Sequence, residues 1–535
     1  MKSASALSAW LACGLAFGQT APASERPDEE AMFSSPQTPT AESSSSPSAQ
    51  HTPLLPSDAA SPPATADAPT TADAATGPAP SSVERDALEG PATRDAFASG
   101  EVKDDPLRIG GQFYLRAITQ TNDRDRLSRS RFSLPTLLDV YLDGRPSDQL
   151  RAYVRGRLVY DPFLSTQSLT TTTPVDNPAV VLDQAWLAFD IARSVFVTAG
   201  RERVRWGTAR IWNPTDFLGS VRRDPLAQFD ARVGVSMVKV HVPVESLGWN
   251  FYAIGVFEAT QRPGGLGAGS SGSTTAGQDL SGGNSAFGSA GSGTTLGDVG
   301  GAFRAEFVFG STEIGVDGLA QKGRRPRLGI DLSTALGPID LYAEAAFLRG
   351  TDTQRYRLVE NPDPALGFNG RFEPFGGDEF NAGVSAGLTY QFAISDTDSL
   401  ILGAEYFFNS VGYANPELYA WLLFSGTYQP FFTGQHYAAL NAILIGPGNW
   451  ENVTFSLTNL GNMSDLSFIS RVDVILRVLT FLQVEVFAGV HYGTRGGEFR
   501  LGFDVPAGLL DGQPIPAITV PAPVLDFGIG LRLNI

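Results

Sequence analysis

The sequence predicts an all-β fold, a transmembrane antiparallel up-and-down β-barrel of about 18 strands, with 16 strands as the alternative. Apolar and polar residues alternate from near residue 107 to the end of the chain, short and long connections follow each other in turn, and the last segment is itself an alternating strand. A disordered amino-terminal tail is predicted to precede the barrel.

The closing strand, Val524 to Ile535, has one apolar and one polar side because successive side chains of a strand point to opposite faces. The apolar side carries Phe527, Ile529, Leu531, Leu533 and Ile535. The polar side carries Asp526, Gly528, Gly530, Arg532 and Asn534. This pattern resembles the closing strand of Gram-negative outer-membrane β-barrels, although Ile535 stands where Phe is more usual. The resemblance implies recognition by the barrel-assembly machinery through this strand, and contact with outer-membrane lipid.

Seventeen segments upstream show the same alternation, and with the closing strand they give the predicted count of about 18. They are Gly110–Thr119, Leu138–Leu142, Arg151–Leu158, Val180–Asp190, Val195–Arg205, Arg232–Val242, Trp249–Phe257, Phe303–Phe307, Ile314–Asp317, Leu328–Ser333, Ile339–Phe347, Val384–Phe392, Leu400–Tyr406, Tyr437–Leu444, Val453–Leu457, Arg471–Leu476 and Gln483–His491.

The connections between these segments also favour a barrel. Short links alternate largely with long ones at 205–230, 258–300, 350–381 and 409–435, as periplasmic turns and extracellular loops do. Placing both termini in the periplasm requires an even number of strands, so Glu498–Asp504 is assigned to the last outer loop. Five aromatic residues fit the girdles at the membrane interfaces, or else pack internally. They are Trp186, Trp249, Trp421, Trp450 and Tyr492.

A soluble sandwich or solenoid is the alternative, because its strands alternate as well. In this chain, however, one face is consistently aliphatic and aromatic, and the other mixes charges with Gly, Ser and Thr, as a water-filled lumen does. Localisation in the bacterial outer membrane, with the tail in the periplasm, follows from the barrel prediction.

The domain organisation is predicted as a signal peptide over residues 1–23, a disordered Pro/Ala/Ser/Thr-rich periplasmic linker over 24–106, and the barrel over 107–535. A lipoprotein reading through Cys13, the only cysteine, is disfavoured because the residues before it fit a lipobox poorly. A single cysteine leaves no disulfide framework and no thiolate metal site, and we expect neither metal nor cofactor. The net charge of −17 argues against a nucleic-acid partner.

Charged residues are distributed unevenly along the predicted strands. Arginines concentrate in the first third of the barrel, at Arg151, Arg155, Arg157, Arg201, Arg203, Arg205, Arg210, Arg222, Arg223 and Arg232. The polar face of later strands is acidic instead, at Glu306, Asp317, Asp331, Asp340, Glu344, Glu405, Asp473 and Glu485. Closing the sheet would place a basic wall opposite an acidic one. Charged walls of this kind would line the pore and select polar or charged solutes. Alternatively, these charges pair across neighbouring strands and hold the lumen together.

The segment from Gly200 to Gly207, followed by Asn213-Pro214-Thr215-Asp216 and Asp224-Pro225-Leu226, resembles the strand and loop of a porin-like class of outer-membrane proteins. The resemblance is local in motif and general over residues 107–535. It implies that the third outer loop folds into the pore, as in general porins, which would place Asp216, Arg222 and Arg223 opposite Arg203 or Arg205. An ordinary turn with a capped short helix is the alternative for this segment.

These observations predict a channel for passive diffusion of small hydrophilic or charged solutes, and no enzyme. His241, His436 and His491 lie in the barrel without a recognisable catalytic motif. The alternatives are a conduit for polymer export, since alginate-export barrels resemble this chain in having an arginine-rich lumen, and a structural or enzymatic barrel. Trimers are common among porins, so a homo-oligomer is compatible with the resemblance, but no segment identifies a subunit interface.

Overall fold

The computed structural model describes residues 106–124, 130–163, 177–219, 225–227, 232–257, 299–360, 370–395, 398–510, 513–515 and 517–535. The predicted signal peptide and linker lie outside these residues. Among the described residues, no helix is long and apolar enough to span a bilayer.

Eighteen long antiparallel strands form one continuous sheet, which confirms the predicted strand count and excludes 16. In chain order they are β1 (Leu107–Asn122), β3 (Thr136–Ser147), β4 (Leu150–Tyr160), β5 (Ala179–Ile191), β6 (Val195–Glu202), β7 (Val235–Val244), β8 (Trp249–Val256), β9 (Gly300–Phe309), β10 (Thr312–Gln321), β11 (Arg327–Leu336), β12 (Ile339–Arg349), β15 (Phe380–Ala393), β16 (Ser399–Asn409), β17 (His436–Ile445), β18 (Val453–Asn462), β19 (Ser467–Leu479), β20 (Leu482–Gly493) and β25 (Pro523–Asn534).

The sheet closes because the last strand pairs with the first. β25 runs antiparallel to β1 from Gln112 opposite Asn534 to Asn122 opposite Pro523, and on its other edge it pairs with β20. Every long strand therefore has a partner on both edges, and no row of backbone donors and acceptors faces the bilayer unpaired.

Shorter elements occupy the loops at one end of the barrel. They are β2 (Arg131–Ser133), β13 (Arg355–Leu358), β14 (Phe372–Phe375), the α-helix Tyr419–Phe424, the 3₁₀ turns Pro416–Leu418 and Glu498–Arg500, β21 (Phe503–Val505), β22 (Gly508–Leu510), β23 (Gln513–Ile515) and β24 (Ile518–Val520). Both Glu498–Arg500 and β21 lie between β20 and β25, where the sequence placed them as part of the last outer loop.

The two faces of the closing strand separate as the alternation predicts. Leu525, Phe527 and Ile529 are 41–51% exposed on the outer surface, whereas Asp526 is 6% exposed on the inner side. The same outward row of exposed aliphatic and aromatic side chains continues around the barrel, for example at Leu328 (59%). A continuous apolar outer band on a closed barrel is what a hydrocarbon environment requires, so this band faces lipid.

Two of the girdle assignments are wrong. Trp186 lies on the inner face of β5, where it stacks on Tyr153. Trp421 belongs to the loop helix and stacks on Phe372. Both are internal packing residues, the alternative that a single sequence leaves open.

Candidate functional site

The connection between β6 and β7, residues 203–234, enters the barrel and is called here the inserted loop. Its described residues contact side chains on β12, β16 and β19, across the lumen from its origin. This is the third of the long connections at the loop end of the barrel, and it folds inward as the porin-like resemblance implied.

Glu405 on β16 holds the middle of the inserted loop. Its carboxylate accepts backbone N–H bonds from Arg210 (3.0 Å), Ile211 (3.1 Å) and Trp212 (2.7 Å). Tyr342 Oη (2.9 Å) also donates to this carboxylate, which is almost completely buried. Because three bonds converge on one buried carboxyl group, Glu405 anchors three successive peptides of the loop.

Glu344 on β12 binds the loop residues before and after those bound by Glu405. It accepts backbone N–H bonds from Thr208 (2.8 Å), Ala209 (3.0 Å) and Thr215 (3.3 Å). Gly207 precedes them with a φ of +88°, and a Cβ there would lie 2.3 Å from Glu344 Oε2. Only glycine therefore lets the chain pass this close to the carboxylate.

Apolar packing seats the loop on the inner wall at two places. Trp206, Phe217 and Leu218 pack against a wall from β7 to β12 that includes Val235 and Met237. Trp212 is fully buried in a second cluster, where it stacks on Phe407 with ring centroids 5.9 Å apart. An indole of this size contributes strongly to burial, so the position of the loop is fixed by packing as well as by hydrogen bonds.

A second layer of loops covers Trp212. The indole Nε1 of Trp212 donates to the carbonyl oxygen of Phe431 at 3.0 Å. The backbone N–H of Phe431 donates in turn to the carboxyl group of Glu498. Glu498 also accepts bonds from Tyr437 Oη (2.5 Å) and Asn462 Nδ2 (2.8 Å). Burial, with a smaller contribution from Asp465, raises the pKa of Glu498 to about 8.

This pKa predicts that alkaline pH weakens the loop packing. The pKa of the Glu498 carboxyl group is 4.5 in the unfolded chain and about 8 in the folded protein, so the folded state is favoured over the unfolded state while this group is protonated. Its contribution to the free energy of unfolding is complete below pH 4.5 and is lost as the pH rises to about 8. We expect the melting temperature in detergent to fall between pH 6 and pH 9, and Glu498→Gln to remove part of this dependence. Equal pH slopes in the two proteins would contradict the assignment.

Three arginines and two aspartates form an ion-pair cluster, called here the arginine cluster, on the inner wall of β3 to β5 and at the first residue of the inserted loop. Arg155 and Arg157 reach Asp139 at 2.5 and 3.0 Å. Arg157 and Arg203 reach Asp183 at 3.1 and 2.7 Å, and Arg155 lies 3.6 Å from it. The cluster thus contains three guanidinium groups and two carboxylates. The side chains of Arg155 and Arg203 are 20% and 21% exposed, so both guanidinium groups lie toward the lumen.

Arg151, which lies nearer the end of the barrel at which the described chain begins and ends, is paired as well. Arg151 makes two bonds to Asp143, at 2.8 and 3.0 Å, and Arg145 makes a third at 3.2 Å. Two guanidinium groups again share one carboxylate, and Arg151 remains 42% exposed.

Most of the acidic residues of later strands are buried against neighbours, and a single guanidinium group serves three of them. Arg304 contacts Glu306 (2.8 Å), Asp317 (3.0 Å) and Asp331 (2.6 Å). Elsewhere on this wall Asp473 pairs with Arg471, and Glu485 pairs with Arg116. With Glu344 and Glu405 occupied by the inserted loop, cross-strand pairing describes this part of the lumen better than a bare acidic wall.

The remaining predicted site residues lie as follows. Asp216 pairs with Arg232 at 2.7 Å within the inserted loop, and Arg205 donates to the Ala209 carbonyl at 2.7 Å. Arg222 and Arg223 lie outside the described residues. The placement of Arg201 on the inner face is wrong: it pairs with Ala185, on the outward row that includes Leu187 and Val197, because β6 continues without a bulge to Glu202.

Arg203 reaches inward although it shares the sequence parity of Arg201. The strand ends at Glu202 rather than at Arg205, so the alternation no longer governs the next residues. The sequence reasoning also missed Asp139 and Asp183. Asp139 had the right parity to be found, whereas Asp183 is the extra residue of a bulge between the pairs Arg155–Gln184 and Gly156–Leu182, which shifts the pattern of β5.

No protein-family model matches this chain, and no curated protein matches it in sequence. Solved structures with a similar trace include OprB of Pseudomonas putida, with 9% identity, a TM-score of 0.43, and coverage of 83% of this chain and 97% of that one. OccK2 of Pseudomonas aeruginosa gives 10% identity, a TM-score of 0.46, and coverage of 80% and 98%. A mutant of Rhodopseudomonas blastica porin has 9% identity and a TM-score of 0.37, and the match covers 80% of this chain and 100% of that one.

The closed sheet itself, rather than these distant likenesses, determines the class. Eighteen antiparallel strands enclose a polar interior behind an apolar outer band, and a long loop folds inside. Barrels of this kind belong to the outer membranes of bacteria. The chain therefore forms a closed transmembrane β-barrel of the bacterial outer membrane.

Proposed function

We infer that the protein is a passive channel for small hydrophilic solutes, and that it favours anions. The observation that carries this conclusion is the inserted loop, anchored by Glu344 and Glu405 inside a barrel of 18 strands. A barrel of this size otherwise encloses a wide aqueous lumen. A loop fixed across it leaves a passage limited to small solutes, which supports diffusion of such solutes over polymer export.

The arginine cluster supports the preference for anions. The middle of the inserted loop is bonded to β12, β16 and β19 and packs on a wall from β7 to β12, so we place the remaining passage beside β3 to β6. There the arginine cluster, with three guanidinium groups to two carboxylates, exposes the side chains of Arg155 and Arg203 inside a low-dielectric shell, which concentrates the field in the passage. In this proposal the arginine cluster sets the preference, because the acidic residues Asp317, Asp331 and Glu344 are buried in the wall rather than exposed to the passage.

Ion selectivity in planar bilayers tests this function. The wild-type channel should prefer Cl⁻ over K⁺ in a KCl gradient. Arg155→Ala removes one guanidinium group of the cluster and should shift the reversal potential toward zero. Arg155→Ala with Arg203→Ala leaves two carboxylates against one guanidinium, and should make the channel prefer K⁺.

Arg357→Ala is the matched control. Its side chain is 65% exposed in the β13–β14 hairpin and pairs with Glu373, so the same change of charge occurs outside the wall. Unchanged ion selectivity in both the single and the double arginine variant would show that the arginine cluster stabilises the wall without selecting ions. Absence of conductance in the folded wild-type barrel would refute the channel itself.

A further inference from the structure

A row of three aromatic rings crosses the inner wall on β3, β4 and β5. Tyr141 stacks on Tyr153 with ring centroids 5.9 Å apart and planes 21° apart. Tyr153 stacks on Trp186 at 5.3 Å and 22°. All three side chains are partly exposed, on the inner face and toward the terminal end of the barrel. Neither the anchoring of the inserted loop nor the arginine cluster uses them.

The row ends at Trp186 because the next strand carries glycine there. Gly200 on β6 pairs directly with Trp186 and has a φ of +131°. A Cβ at Gly200 would lie 2.2 Å from the carbonyl oxygen of Ala185 and 2.7 Å from Trp186 Cα. No other residue fits this position, so no side chain of β6 lies beside the indole at this pair.

A cation lies over the ring of the same indole. The guanidinium carbon of Arg151 is 5.3 Å from the centroid of the Trp186 ring. Arg151 shares Asp143 with Arg145, and its side chain is 42% exposed, so the group retains capacity for an anion. On the loop side of Trp186 the arginine cluster places two further partly exposed guanidinium groups, those of Arg155 and Arg203.

We propose that Trp186, Gly200 and Arg151 form a solute subsite for a flat ring that carries a carboxylate. The ring would stack on the indole above the glycine, and the carboxylate would meet the Arg151 guanidinium. Aromatic faces bind flat apolar faces by offset stacking, and a guanidinium fork matches a carboxylate. This subsite rests on the proposed channel function and names the class of solute that the passage retains longest.

Block of single-channel current by benzoate tests the subsite, with butyrate as an acyclic anion of the same charge and benzyl alcohol as an uncharged ring. Benzoate should block the wild-type channel at lower concentration than either of the other two. Trp186→Leu should weaken the block by benzoate about tenfold, the size expected for one aromatic contact, and leave the block by butyrate unchanged. Trp186→Phe should restore most of it, because a ring face returns.

Two further variants keep the test decisive. Trp249→Leu removes an outward indole on β8 and should leave benzoate block at the wild-type level. Arg151→Gln should weaken block by benzoate but not by benzyl alcohol. Equal block by benzoate in the Trp186→Leu and Trp249→Leu channels, with normal KCl conductance, would overturn the subsite alone. Absence of KCl conductance in the wild-type barrel would overturn the channel and the subsite together.

Discussion

Replacing Glu344 and Glu405 by glutamine is expected to release the inserted loop and raise single-channel conductance well above the wild-type level. Each carboxylate accepts three backbone N–H bonds from the loop. A glutamine offers one acceptor oxygen and points an NH₂ group at the remaining donors. Each bond contributes ~0.5–1.5 kcal/mol, and a buried N–H left without an acceptor costs ~1–3 kcal/mol, so the double variant loses several kcal/mol of loop anchoring.

The measurement is conductance in planar bilayers, with exclusion of polyethylene glycols of graded size as a second readout of pore width. Glu306→Gln is the control, because Glu306 is an inward carboxylate bound to Arg304 and Tyr252 on the wall. Folding of each variant is checked by the shift of the unheated barrel on SDS gels. A folded double variant with wild-type conductance and the same size cutoff would show that the loop does not limit the pore.

Substitution of Asp183 by asparagine is expected to cause the largest loss of stability among single changes in the wall. Its side chain is fully buried and is approached by three guanidinium groups, those of Arg155, Arg157 and Arg203. Removing one partner of a buried ion pair typically costs ~3–5 kcal/mol because the other charge stays buried without compensation. Urea unfolding of the detergent-solubilised or reconstituted barrel should therefore shift strongly toward lower denaturant.

A double-mutant cycle separates charge from packing at this site. Arg157→Met in the Asp183→Asn background removes one of the uncompensated charges and should recover part of the loss. Asp190→Asn, on the same strand and partly exposed, is the control and should change stability little. If Asp183→Asn and Asp190→Asn unfold at the same urea concentration, the arginine cluster contributes no net stability through Asp183.

Much of the wall could be predicted from the sequence because the alternation of a strand is a local property. The pattern from Phe527 to Ile535 predicts which side meets lipid, and the same reasoning locates all eighteen strands. It fails where local geometry departs from a regular strand. The bulge at Asp183 shifts the parity of β5, and the early end of β6 at Glu202 separates Arg203, which turns inward, from Arg201, which does not.

The loop anchors could not be predicted in the same way. Glu344 and Glu405 have the inward parity expected of wall residues, but their partners Ala209 and Trp212 lie 135 and 193 residues away in the chain. No local pattern indicates that a wall carboxylate will bind backbone amides of a distant loop. The resemblance to porins supplied the inward fold of the loop, and only the structure shows which groups hold it.

The most direct test is a cross-link between the inserted loop and the wall. An ideal Cβ at Gly383 on β15 lies 3.2 Å from Pro214 Cβ, close to the separation that a disulfide requires. With Cys13 replaced by Ser, the pair Pro214→Cys and Gly383→Cys should form a disulfide on oxidation in outer membranes, detected as a gel shift reversed by dithiothreitol. Oxidation should leave the conductance at the wild-type level, and should return the Glu344→Gln/Glu405→Gln channel to that level. Two thiols that stay reduced in the folded barrel would contradict the seated loop on which the account depends.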